Sequence, residues 1–78
     1  MDIVARLILS SSSHSISPIA DTLRNLNYHV CQTNNREIFV YRSNTSPTTL
    51  LQDIKTAKKA NKFSITIKIV YGYTSATV

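Results

Sequence analysis

Phe63-Ser64-Ile65-Thr66-Ile67-Lys68-Ile69-Val70-Tyr71 is the stretch that decides the fold. Phe63, Ile65, Ile67, Ile69 and Tyr71 alternate with Ser64, Thr66 and Lys68. Successive side chains of a strand point to opposite faces, so this period of two predicts a strand with one face buried. A sheet with one buried face needs a second layer to cover it, and the residues just upstream supply one. Leu50, Leu51, Ile54 and Ala57 recur at helical spacing behind Ser46-Pro47. Serine is a good helix cap, and proline fits the first turn because its missing N–H would be unpaired there anyway. This helix is predicted to run to about Asn61.

Toward the N-terminus the pattern repeats in reverse. Arg36 to Arg42 reads as a strand, with Ile38 and Val40 on one face and Glu37, Phe39 and Tyr41 on the other. Asn34-Asn35 predicts a primed hairpin turn, which leads back to a strand over Tyr28 to Thr33. Ser17-Pro18 gives the same cap-and-proline signal, with Ser17 as cap, for a helix carrying Ile19, Leu23 and Leu26, and Asn27 can adopt the left-handed conformation that stops it. Ile3 to Leu9 alternates as a first strand, and a serine-rich connector follows it. The order is β-α-β-β-α-β. Right-handed crossovers put both helices on one side of the sheet. The expectation is an α+β fold, a ferredoxin-like two-layer sandwich with a four-stranded antiparallel sheet in the order 4-1-3-2. One domain is expected over residues 1–73, with a flexible C-terminal tail at 74–78.

The pleat then assigns both faces of the sheet. Ile3, Ala5, Leu7, Tyr28, Val30, Ile38, Val40, Ile65, Ile67 and Ile69 turn toward the helices. Val4, Arg6, Ile8, His29, Cys31, Phe39, Tyr41, Thr66, Lys68 and Val70 take the opposite face. That second set is an apolar centre with a sparse polar rim, the kind of surface that marks a docking site. The candidate partner-binding residues are Val4, Arg6, Ile8, Phe39, Tyr41, Lys68 and Val70.

Composition narrows the classes. In 78 residues, nine Lys and Arg against four Asp and Glu give a net charge of +5. Such a surplus points to an acidic partner or to nucleic acid. Lys55, Lys58, Lys59 and Lys62 concentrate it in a second candidate site, a basic patch at the end of the second helix, where cations also oppose the helix dipole favourably. One cysteine, Cys31, allows no internal disulfide, and a reducing, cytoplasmic setting is expected. The apolar run at Ile3 to Leu9 is too short to span a membrane, so no membrane association is expected.

Catalytic sets are missing from the pattern. Ser10 to Ser15 places hydroxyls beside His14, yet nucleophilic catalysis needs a base oriented by a third group and an oxyanion site. His29 and Cys31 share a strand face but imply no third metal ligand. Asp2, Asp21, Glu37 and Asp53 are scattered, and the single glycine, Gly72, lies far from any phosphate-cradling position. A non-enzyme is expected, with no cofactor, no metal and no small-molecule ligand.

Three families share this topology. RNA-recognition motifs stack bases on sheet aromatics, and Phe39 and Tyr41 beside Arg6 and Lys68 resemble that use. Arg36 to Tyr41, however, lacks their glycine and aromatic spacing. Acylphosphatases carry glycine and arginine after the first strand, where this chain has Leu9-Ser10-Ser11-Ser12. Leu23-Arg24-Asn25-Leu26-Asn27-Tyr28-His29-Val30-Cys31 resembles the helix-to-strand passage of ACT-type regulatory domains, among them the small regulatory subunits of acetolactate synthase. That resemblance covers about a third of the chain. It implies a regulatory subunit whose sheets pair, with an amino-acid site at a glycine-bearing loop that is serine-rich here. The leading expectation is a small binding or regulatory protein acting by protein–protein contact. It would dimerise or dock on a larger complex, as phage or mobile-element inhibitors of host complexes do. The alternatives are a basic nucleic-acid-binding module and an ACT-like regulatory subunit.

Overall fold

A computed structural model describes residues 2–10, 14–59, 64–69 and 75–77. The strand predicted from the deciding stretch is β4, Ile65–Ile69. Its neighbours in chain order are β1 (Ile3–Leu9), α1 (Ser17–Asn25), β2 (His29–Asn34), β3 (Glu37–Arg42) and α2 (Pro47–Lys58), with β5 (Ser75–Thr77) last. The sheet order is β2-β3-β1-β4-β5, and every pairing is antiparallel. The first four strands keep the expected order, and with two helices they form the α+β sandwich of the ferredoxin-like class.

The inward face follows from parity. Ile3, Ala5, Leu7 and Leu9 of β1 are buried together with Ile38 and Val40 of β3 and Ile65, Ile67 and Ile69 of β4. They pack with Ile19, Ala20 and Leu23 of α1 and with Leu50, Ile54 and Ala57 of α2. Tyr28 is buried at 4% exposure, and Val30 packs against the cluster from the edge. Strand β1 lies between β3 and β4, with Leu7 opposite both Ile38 and Ile67.

Local details correct four expectations. Ser17 is the first residue of α1 rather than its cap; its N–H donates to Ser15 Oγ at 3.2 Å, and Ile16 holds the cap position without a side-chain bond. Ser46 does cap α2, accepting from the Thr49 N–H at 3.2 Å. Helix α2 closes at Lys58, because Lys59 turns to φ 56° while its N–H makes the last helical bond, to the Lys55 carbonyl at 3.0 Å. The hairpin turn lies at Asn35-Arg36, where positive φ is lacking, so it is not primed. A bulge between Gln32 and Asn34 supplies the twist that a primed turn would have given. Finally, part of the expected tail is a strand, since Ser75–Thr77 pair with Thr66 to Lys68 as β5. Asn61, Lys62, Phe63, Val70 and Tyr71 lie outside the described residues.

One polar cluster joins the hairpin to the helices. Tyr28 donates its hydroxyl to Asp53 Oδ2 at 2.7 Å, and the Arg42 guanidinium lies 4.2 Å over the Tyr28 ring. Arg42 also reaches Asp53 at 3.4 Å, Thr45 Oγ1 at 2.7 Å and the Leu26 carbonyl at 2.8 Å. Burial pushes the Tyr28 phenol above its ordinary pKa, and the hydrogen bond to Asp53 adds to the shift. The folded state therefore holds the neutral phenol, and that stabilisation is complete below about pH 10, the ordinary tyrosine value. Above it, folding should lose up to about 1.4 kcal/mol per pH unit from this one proton. Urea titrations between about pH 9 and 11.5 on wild type and Tyr28→Phe should show this extra alkaline slope in wild type only.

Candidate sheet-face docking site

The outward residues of β1, β2, β3 and β4 build one surface. Register places Val4 opposite Tyr41, Arg6 opposite both Phe39 and Lys68, and Ile8 opposite Glu37 and Thr66. On the next strand, His29 faces Tyr41 and Cys31 faces Phe39. The expected face is therefore assembled, apart from Val70, which lies outside the described residues. Phe39 and Tyr41 each keep 37% of their surface exposed, and they are the large apolar side chains left most open among the described residues. Val4 and Ile8 are half-buried, while Cys31 and His29 are exposed.

On the β2 and β3 side of this face lies a shallow hollow of about 240 Å³ lined by Val4, His29, Val30, Cys31, Phe39, Val40 and Tyr41. The His29 and Tyr41 rings form one wall, 5.8 Å apart between centroids and tilted by 34°. The sequence pattern places Val4, His29, Cys31, Phe39 and Tyr41 on this face but turns Val30 and Val40 toward the helices, and it does not reveal the hollow, because a hollow depends on how three strands align. Its polarity is low, and its volume falls under the roughly 300–1,000 Å³ typical of small-molecule sites.

One ion pair on this face is matched internally. Arg6 grips Glu37 Oε2 through Nε at 2.9 Å and Nη2 at 2.5 Å, diagonally across β1 and β3. The Arg6 hydrogen bonds hold the Glu37 carboxyl below the usual carboxylate value. A depressed carboxylate stabilises the fold above its ordinary value and loses that effect as pH falls through the lowered one. Thr33 Oγ1 adds a hydrogen bond to Glu37 Oε1 at 3.1 Å. Lys68 is exposed beside this pair on β4.

The second candidate site belongs to the helix layer. Lys55 and Lys59 are exposed and Lys58 is half-buried at the end of α2, and Lys62 lies outside the described residues. Arginines pair with three of the four acids, in Arg6–Glu37, Arg24–Asp21 at 3.1 Å and Arg42–Asp53 at 3.4 Å. Most of the charge surplus is consequently lysine, and most lysines are on or next to α2.

His14 is exposed in the connector before α1, where Ser15 and Ser17 hydroxyls bond to one another at 2.9 Å. Among the described residues, no three His, Cys, Asp or Glu side chains converge on a metal-sized site. No helix among them is long and apolar enough to cross a membrane. No family model, curated protein or solved structure matches this chain.

Proposed function

We propose that the protein is a small non-catalytic regulatory or accessory protein of the cytoplasm that works by docking its open sheet face on protein. The observation that carries this reading is Phe39 and Tyr41, each 37% exposed at the centre of a face whose charged pair is already satisfied. Exposed aromatics around a shallow hollow suit a protein side chain, since aromatic anchors in small pockets dominate the energetics of protein interfaces. The α2 lysines add long-range steering toward an acidic surface.

The competing reading is polyanion binding through Lys55 and Lys59. Contacts of that kind release counterions, so they weaken steeply as salt rises. The tagged protein and its variants would be compared for capture from source cells at about 0.15 M and 1 M salt. Docking by the sheet face predicts a defined protein retained at high salt, lost with Phe39→Asp and kept by a Lys55→Glu, Lys59→Glu double variant. The reverse pattern, with nuclease-sensitive capture, would overturn it.

A further inference from the structure

We infer that one occupant of this face is a second copy of the chain, stacked sheet against sheet about a two-fold axis so that the aromatics of each copy enter the hollow of the other. The inference rests on the docking reading above and names its partner. Three observations carry it.

The first is charge. An acidic or basic partner would need an unmatched charge at the centre of the contact. The central cation here, Arg6, is held by Glu37 of the same copy. With that pair matched, the β2-β3-β1 part of the face can meet its own duplicate without like-charge repulsion. Lys68 stands on β4, to one side of the β2-β3-β1 patch, and the α2 lysines lie in the helix layer across the sheet.

The second is area. Strands of seven, six, six and five residues, with β5 at the edge, give a face about 20 Å by 20 Å at the usual rise and strand spacing. Stacking two such faces covers on the order of 800 Å², the size of a weak, transient contact rather than a permanent one. That area suits a reversible dimer that forms with concentration. Symmetric pairing also uses hollow and aromatics twice, because an isologous contact repeats each interaction.

The third is that the β2 edge is poorly suited to edge-to-edge pairing. Its outer rim carries a bulge between Gln32 and Asn34. The Gln32 amide also folds back on the Asn34 carbonyl at 3.1 Å and on Ser17 Oγ at 3.0 Å. Bulges and polar side chains of this kind blunt an edge.

Sedimentation velocity of the wild-type protein from about 5 to 500 µM decides the matter. The expected result is a mass that rises from 8.7 kDa toward twice that value, unchanged or strengthened in 1 M salt. Phe39→Asp should raise the dimer dissociation constant at least tenfold while keeping the wild-type circular dichroism spectrum. A short bis-maleimide should join Cys31 to Cys31 in wild type and fail in Phe39→Asp. A wild-type mass of 8.7 kDa at every concentration overturns the second-copy inference, as does a dimer indifferent to Phe39→Asp. A monomer that still loses its cellular protein partner on Phe39→Asp would leave the docking reading standing.

Discussion

Leu7→Ala is expected to cost about 3–4 kcal/mol of folding stability, in the range seen for buried leucines. Leu7 has no exposed surface, and it stands at the middle of the central strand with Ile38 on one side and Ile67 on the other. Removing its side chain loses both the transfer free energy and the contacts around the space left behind. Neighbouring strands cannot close that space without breaking register on both sides of β1. A domain of this length has roughly 4–12 kcal/mol in all, so the variant should approach the unfolding threshold. Urea titration should show a large fall in midpoint. Leu51→Ala, at a half-buried position on α2, should lose clearly less. A loss below about 1 kcal/mol for Leu7→Ala would mean that the odd residues of β1 do not face the core.

Asp53→Ala is expected to cost about 2 kcal/mol, through a different cause. It leaves the buried Tyr28 hydroxyl without its acceptor and takes away one partner of Arg42. The Asp53 and Arg42 side chains keep 23% and 25% of their surface, so solvent screens the pair only in part. Asp53→Asn retains an acceptor for the phenol and should recover a good share of the loss. Arg42→Ala combined with Asp53→Ala should cost less than the sum of the two single changes, because both act through one network. Full additivity in chemical denaturation would show that the cluster is three unrelated contacts.

Parity was the most legible feature of the sequence. Once one face of a strand is buried, a slip by one residue would turn every apolar side chain to water, so Ile3 to Leu9, Ile38 to Val40 and Ile65 to Ile69 fix the face of their neighbours. The Ser-Pro signal was half legible. Ser46 caps its helix, whereas at Ser17 the helix starts one residue sooner, because Ser15 takes the free N–H. Asn34-Asn35 pointed to the right place for the hairpin but to the wrong turn. The two-residue loop is displaced by one position, and the bulge absorbs the difference. Ser75–Thr77 carry no apolar alternation that would mark a strand, and their pairing comes from the edge that β4 offers. Arg6–Glu37 and Arg42–Asp53 join residues far apart in the chain, and no local pattern announces them. The face was readable residue by residue, and its hollow was not, since it exists only once β1, β2 and β3 are side by side.

The central position of β1 has a consequence for synthesis. β1 precedes in the chain both strands that flank it in the finished sheet, β3 and β4. Its second flank comes only after α2, at Ile65–Ile69. A chain made from its N-terminal side therefore carries an aliphatic ribbon with one side open until β4 has emerged, and closing the sheet joins segments distant in sequence, a slow step for a nascent chain.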